Sequence, residues 1–287
     1  MSFLRSAASL LAAALALSAC SAQAGTDSTP SAAGLVQTKG CSKDSLKTVT
    51  DGKLTIAVNE PAYAPWFIGD DPGNGEGYEA GLGYRIAQHL DLAPSDVTWV
   101  RQPFEKVVAP GAKNFDLALV EAQVTPQRQQ AVDFSTPYYS VRQALITWNG
   151  SPIDGKTTLA ELRTARLGAA AGTTSYEEIN QHIRPTTAPT SYPSIGAAKD
   201  ALAAHQIDGL VADLPTAQYL ASSVLDDASV VGELPADADE KVGAVLPKGS
   251  ALTQCVSAAV DQLRADGTLD TLAEQWLSSK KTVPQLS

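Results

Sequence analysis

The feature that most constrains this chain is a repeated alternation of short apolar runs with segments of helical periodicity. Four runs are typical of buried strands: KLTIAV (53–58), FDLALV (115–120), RLGAAA (166–171) and DGLVAD (208–213). The first three runs are followed by a polar loop and then a predicted helix, and the fourth leads directly into a predicted helix. Strands that alternate with helices predict an α/β architecture with largely parallel sheets. A length of 287 residues allows one large domain or two smaller ones.

Polar stretches stand where the predicted strands end. They are NEPAYAPW after 53–58, EAQVTPQR after 115–120 and GTTS after 166–171, while Asp213 ends the fourth run. In open α/β sheets, ligands bind in the crevice outside the carboxyl ends of the strands. Two of these stretches come from each half of the chain, and the polar segment NGSPIDGKT between the halves is typical of a crossover. The sequence therefore predicts a ligand cleft between two lobes.

Arg128 lies at a predicted helix start. Thr125 is a good N-cap and Pro126 suits the first helical position, so Arg128 falls in the first turn. Unpaired N–H groups and the helix dipole already make that turn positive, which disfavours a cation there. A guanidinium among backbone donors can hold a carboxylate bidentately. The alternative is an ordinary ion pair of Arg128 with Asp133 or Glu121.

Asp213 and two threonines supply complementary chemistry in the other half. In AGTTS, Thr173 and Thr174 offer hydroxyl and N–H groups at a second helix start, which suits an anion or simple capping. Asp213 ends an apolar strand, where an acid needs a cation or hydrogen bonds; it could bind a ligand ammonium or cap the helix near Leu214. A carboxylate-binding cation together with an ammonium-binding acid describes an α-amino acid site.

Three aromatic residues lie in or beside the same loops. Tyr63, Trp66 and Phe104 could enclose the apolar part of a ligand or its cationic group. Packing within the protein is the alternative for each of them.

The first twenty residues, MSFLRSAASLLAAALALSAC, have the order of a secretory signal. One cation, Arg5, precedes an apolar run that is too short to span a membrane as a mature helix. The final LSAC matches a bacterial lipobox, which predicts a signal peptide over 1–19 and a diacylated Cys20. Ser, Ala, Thr and Gly dominate the next residues, so we expect a flexible tether over 20–40. The alternative is an ordinary secretory signal with an incidental cysteine.

The other two cysteines, Cys41 and Cys255, are far apart in the sequence. In an oxidising compartment such a pair indicates one disulfide, and two free buried thiols are the alternative.

Several functional classes lack their sequence signals here. A formal charge of −10 argues against nucleic acid as a partner. The sequence has no phosphate-binding GxxxxGK[ST] loop, no CxxC and no GxSxG, and its three histidines have no His or Cys neighbour at metal-ligand spacing. We therefore expect no cofactor, no metal site and no catalytic residues.

The chain resembles the family-3 extracytoplasmic solute-binding proteins, which are the polar amino acid receptors of ABC importers. The resemblance covers roughly residues 53 to 278, and its most specific parts are FDLALVEAQVTPQRQQAVDFSTPYY, LGAAAGTTS and IDGLVADLPTA. It implies a type II periplasmic-binding-protein-like fold of two α/β lobes, each a mostly parallel sheet flanked by helices, joined by a hinge of two crossings. The expected bounds are 41–148 for the first part of lobe 1, 149–235 for lobe 2 and 236–287 for a return segment of lobe 1.

The resemblance also implies roles for individual residues. Arg128 would grip the α-carboxylate with help from Thr173 and Thr174, and Asp213 would take the α-ammonium. Tyr63 and Phe104 would cover the side chain. The pair Cys41 and Cys255 resembles the cysteine pair of a subgroup of this family that is associated with actinobacteria.

Two departures from the family pattern affect the ligand. Gln123 stands two residues before Thr125, where the family usually has Ser or Thr, and Glu121 stands where a neutral residue is commoner. Glu60 and Glu121 could read a basic side chain, whereas Gln123 and Glu121 could hydrogen-bond an amide. Both ligand classes stay open at this point.

The implied function is a non-enzymatic receptor, lipid-anchored outside the cell membrane and monomeric. It would deliver a polar amino acid to an ABC permease and its ATPase. One alternative is a dehydratase-like enzyme on the same fold, with Glu121 as a general base. Another is a sensor that presents its ligand to a membrane kinase.

Overall fold

The structure is a computed structural model that describes residues 38–236, 240–278 and 282–287. The predicted signal peptide, Cys20 and the tether up to residue 37 lie outside the described residues. In the described part of the chain, none of the helices combines the length and apolar character needed to cross a bilayer.

Strands and helices alternate along the chain, as the hydrophobic periodicity predicts. The strands among the described residues are β1 (Leu54–Val58), β2 (Val97–Arg101), β3 (Leu117–Ala118), β4 (Val132–Phe134), β5 (Tyr139–Val141), β6 (Gln143–Trp148), β7 (Leu167–Ala170), β8 (Thr190–Tyr192), β9 (Gly209–Asp213), β10 (Ala228–Glu233), β11 (Glu240–Val242) and β12 (Val245–Pro247). The α-helices are α1 (Tyr78–His89), α2 (Phe104–Val108), α3 (Pro126–Ala131), α4 (Leu159–Leu162), α5 (Thr174–Glu178), α6 (Ile195–Ala203), α7 (Leu214–Tyr219), α8 (Leu252–Ala265) and α9 (Thr268–Trp276).

Two five-stranded sheets form the two lobes. The first has the order β2-β1-β3-β12-β4 and the second has the order β10-β6-β9-β7-β8. Within them β1 runs parallel to β2 and β3, and β7 runs parallel to β8 and β9. The remaining ladders are antiparallel, so the expectation of mostly parallel sheets is wrong. The reason is that β6 and β12 enter their sheets directly from the other lobe and need no crossover helix.

Each sheet is covered by apolar residues on both faces. All five residues of β1 are buried: Leu54, Ile56 and Val58 face a cluster built with α1, α8 and α9, while Ala57 faces a second cluster. The second sheet is likewise enclosed between two clusters, with Leu145 in one and Ile146 in the other. Burial on both faces explains why these strands appear as nearly continuous apolar runs in the sequence.

The connection between the lobes consists of β5 and β11, which pair antiparallel in a sheet of their own. Strand β5 leads from β4 of the first sheet to β6 of the second, and β11 leads back from β10 to β12. The chain thus crosses between the lobes twice, as predicted.

The predicted lobe bounds need two corrections. Strand β6 (143–148) was expected in lobe 1 but pairs with β9 and β10 of the second sheet. Residues 282–287 were expected in the return segment of lobe 1, but Gln285 bridges to Glu233 and Leu286 is buried in a cluster of the second lobe. Both differences arise from pairing partners that are distant in the sequence. The other bounds remain a proposal.

The predicted disulfide is present. Cys41 and Cys255 are bonded with their Cα atoms 5.4 Å apart, which fastens the beginning of the described chain to α8.

Candidate ligand-binding site

A cavity of about 120 Å³ lies between the two lobes. Its walls come from the segments that follow the parallel strands, namely β1, β2 and β3 in the first lobe and β7, β8 and β9 in the second. A single buried water needs only about 10–15 Å³, so the cavity has room for a small organic ligand. The prediction of a cleft at the carboxyl ends of the strands is confirmed.

Seven of the predicted site residues line this cavity. They are Glu60, Tyr63, Phe104, Glu121, Gln123, Thr173 and Asp213. Tyr63 also contacts the other lobe closely: a Cβ atom added to Gly196 in α6 would lie 2.1 Å from the Tyr63 hydroxyl oxygen. Glycine at position 196 therefore makes room for the tyrosine.

Four predicted site residues are not part of the lining. Trp66 is fully buried, with its ring edge-on to Tyr78 and Tyr139. Thr125 caps α3 by accepting a hydrogen bond from the backbone N–H of Arg128 at 3.2 Å. The Thr174 hydroxyl donates to Glu240 Oε2 at 3.2 Å. The fourth residue is Arg128 itself. Each of these four residues has a hydrogen-bond partner within the protein.

The guanidinium of Arg128 connects the lobes. The predicted helix start is confirmed, since α3 begins at Pro126 with Thr125 as its N-cap. Arg128 is 8% exposed; Nη1 donates to Gln123 O and Oε1 at 2.8 and 3.2 Å, and Nη2 donates to Gly172 O of the other lobe at 2.9 Å. Its Cζ lies 5.0 Å from the centre of the Phe104 ring. Burial lowers the pKa of Arg128, against the opposing charges of Glu177 and Glu240.

The ion pairs considered as alternatives for Arg128 do not form. Asp133 pairs with Lys248 at 3.1 Å, and within the described part of the chain no carboxylate is paired with Arg128.

Asp213 both lines the cavity and caps a helix. Its Oδ1 accepts the backbone N–H of Thr216 at 3.0 Å at the start of α7, so the helix cap is confirmed, while ammonium binding by Asp213 stays a prediction. Burial raises the pKa of Asp213 to about 6, and the hydrogen bonds from Thr216 oppose that rise. Thr216 is itself held from the first lobe, because Trp66 Nε1 donates to its Oγ1 at 2.9 Å.

Glu79 lies behind the cavity lining, in contact with Glu121, and sequence reasoning missed it. It is 0% exposed in the first turn of α1; its Oε1 accepts the backbone N–H of Glu121 at 2.8 Å and the Tyr138 hydroxyl. Its Oε2 has no hydrogen-bond partner within the described ranges. Burial raises the pKa of Glu79 to about 7, with a further contribution from the charge of Asp213. The sequence signal that could have identified Glu79 is an acidic residue among the apolar residues at the start of α1.

Glu121, whose backbone N–H contacts Glu79, is an acidic residue that lines the cavity. Its backbone adopts a left-handed conformation with φ of 56°, which non-glycine residues rarely adopt. Burial, followed by the charges of Asp213 and Glu79, raises the pKa of Glu121 well above its usual value. In the described ranges, no group of three or more His, Cys, Asp or Glu side chains is placed to hold a metal ion.

A cavity between two α/β lobes, with two connecting crossings and side chains from both walls, defines a two-lobed ligand-binding protein. The family model of the bacterial extracellular solute-binding proteins, family 3, matches residues 54–279, and the chain belongs to this family.

Known relatives and solved structures agree with this assignment. The chain is 27% identical over 235 residues to the L-cystine-binding protein TcyJ of Escherichia coli (strain K12), covering 80% of this chain and 85% of that protein. It is 27% identical over 225 residues to the lysine/arginine/ornithine-binding periplasmic protein of the same strain, covering 76% and 85%. Among solved structures, an ancestral arginine-binding protein has a TM-score of 0.67 at 23% identity, covering 79% of this chain and 98% of that one. An amino acid ABC transporter substrate-binding protein from Streptococcus pneumoniae Canada MDR_19A has a TM-score of 0.65 at 23% identity, covering 78% and 92%.

Proposed function

We propose that this protein is an extracytoplasmic receptor that captures a polar α-amino acid by hinge closure and delivers it to an ABC importer. The relatives named above are binding proteins for cystine and for lysine, arginine and ornithine. The observation that carries the proposal is the position of Asp213, which ends a strand of one lobe and lines a cavity whose opposite wall belongs to the other. The proposal includes no catalytic step.

Arg128 is assigned to the α-carboxylate. A guanidinium has five N–H donors. Arg128 makes three hydrogen bonds with them to acceptors within the described part of the chain. Two donors are left for a ligand that reaches past Phe104, whose ring contacts both the guanidinium and the cavity. Asp213, on the other lobe, is assigned to the α-ammonium. A ligand that binds both lobes favours the closed arrangement over the open one, which is how it drives closure.

The proposal is tested by a thermal-shift screen of the twenty L-amino acids and polyamines, followed by calorimetry. A ligand at 100 times its Kd stabilises the native state by about 2.7 kcal/mol. Arg128→Ala should weaken binding of the best amino acid by on the order of 2–5 kcal/mol, because a carboxylate then loses its partner. Arg85→Ala, in an exposed position on α1, is the matched control and should leave affinity unchanged. If no amino acid stabilises the protein, the proposed function is wrong.

Lipid anchoring through Cys20 and a monomeric state belong to the same proposal. The support for the anchor is the LSAC sequence at the end of the signal-like segment. Cys20→Ala should release the protein from the membrane fraction, and retention of that variant on the membrane would contradict the anchor. Light scattering of the purified soluble part tests the monomeric state.

A further inference from the structure

We propose that the ligand is an amino acid with a cationic side chain and that Glu121 is the residue that selects it. This inference rests on the proposed function and deepens it by naming the ligand class.

The charge of the cavity lining is the first observation. Glu60, Glu121 and Asp213 line the cavity, whereas no Lys, Arg or His of the described ranges does so. An amino acid with a neutral side chain brings one ammonium, which Asp213 accounts for. Glu121 would then be enclosed without a counter-charge, so it would have to keep a proton or carry an unpaired buried charge, which is strongly unfavourable. A second cation on the ligand removes that penalty.

The second observation is that two acceptor groups at the cavity have no hydrogen-bond donor within the described ranges. The carboxylate of Glu121 has neither a hydrogen bond nor an ion pair with the residues that the structure describes; only its backbone N–H is engaged, by Glu79. Asn59 also lines the cavity, and its buried Oδ1 has no partner in those same ranges. Both groups are acceptors that need donors. Ammonium and guanidinium groups carry donors only, whereas a carboxylate side chain would add acceptors.

The backbone at Glu121 is the third observation. The left-handed φ of 56° is a conformation that is unfavourable for a residue other than glycine. Glu79 holds it through the hydrogen bond to the Glu121 N–H at 2.8 Å. Burial and then the carboxylates of Asp213 and Glu79 raise the pKa of Glu121, so the protein alone disfavours a negative charge there. A ligand cation near Glu121 lowers the pKa of its carboxyl group and favours the charged form.

Calorimetry with matched amino acids tests the inference. L-Arginine and L-citrulline have nearly the same shape and differ in side-chain charge; L-lysine, L-ornithine and L-glutamine extend the comparison. Because Glu121 is half-buried, we expect L-arginine to bind about tenfold to a hundredfold more tightly than L-citrulline. If L-citrulline or L-glutamine binds more tightly than every cationic amino acid, the inference is overturned while the receptor function stands.

Variants identify the selecting residue. Glu121→Gln should reduce the preference for L-arginine over L-citrulline to less than about threefold, since the charge pair is then absent. Glu121→Asn is a second variant, because asparagine tolerates the left-handed backbone and is less prone to misfolding at this position. Glu274→Gln, exposed on α9, is the matched control and should keep the wild-type preference. A preference that survives both variants at position 121 would overturn the role of Glu121.

Putrescine separates this inference from the proposed function. It carries two cations and no carboxylate, so Arg128 can contribute nothing to its binding. Much weaker binding than that of L-ornithine is expected. Binding as tight as that of L-ornithine would overturn the amino acid part of the proposed function. In that case, weaker putrescine binding by Glu121→Gln than by wild type would still show that Glu121 selects a cation. If neither the amino acids nor putrescine bind, the receptor function itself fails.

Discussion

Trp66 joins the two lobes through a single hydrogen bond. Its indole Nε1, in the first lobe, donates to Oγ1 of Thr216 in α7 of the second lobe at 2.9 Å. The backbone N–H of Thr216 in turn donates to Asp213 Oδ1. Trp66 does not line the cavity. We nevertheless expect Trp66→Phe to weaken amino acid binding, because this hydrogen bond forms only when the lobes are in contact.

The magnitude follows from the value of one buried hydrogen bond. A bond between neutral groups contributes about 0.5–1.5 kcal/mol net, which corresponds to about a two- to tenfold rise in Kd. The upper end is favoured because both Trp66 and Thr216 are almost fully buried and the Thr216 hydroxyl would lose its donor. Replacing the indole also leaves a gap in the core of the first lobe, which lowers the free energy of unfolding by roughly 1–3 kcal/mol.

Calorimetry with the tightest-binding amino acid measures the affinity, and urea unfolding measures the stability. Trp99→Phe is the matched control: Trp99 Nε1 donates to the Tyr84 hydroxyl at 3.1 Å, and both residues belong to the first lobe. That variant should lose stability but keep its affinity. If the variants at positions 66 and 99 bind the amino acid equally well, the hydrogen bond between the lobes does not support closure and the reasoning is refuted.

Two further predictions concern stability. Replacing Cys41 and Cys255 by serine should lower the free energy of unfolding by about 2–5 kcal/mol, because the disulfide closes a loop with a sequence separation of 214; an unchanged urea midpoint would contradict this. Burial raises the pKa of Glu79 from 4.5 to about 7, so the ligand-free native state keeps a proton that the unfolded chain has released. Stability should therefore fall as the pH rises from about 4.5 to 7, by a few kcal/mol, and Glu79→Gln should flatten that slope in thermal melts. The titratable groups that face Glu79 are Tyr78, Tyr138, Glu121 and Asp213. Equal slopes for wild type and variant would show that other groups carry the pH dependence.

The sequence alone determined the features that depend on neighbouring residues. The apolar runs became strands, Thr125 and Pro126 began α3, and Asp213 ended a strand beside the cleft. Hydrophobic period, capping and strand ends act over a few residues, so they can be recognised in one sequence. The disulfide between Cys41 and Cys255 was also predictable, because the chain offers only one pairing after Cys20.

The tertiary structure alone decided what each side chain contacts. Arg128 reaches the carbonyl oxygen of Gly172, 44 residues away, and Glu79 holds the backbone of Glu121, 42 residues away. Trp66, expected beside the ligand, is instead buried and bonds to Thr216 across 150 residues. Such contacts depend on how two separately folded sheets are brought together by β5 and β11. Local periodicity carries no information about that arrangement, because it repeats within each lobe regardless of where the other lobe lies.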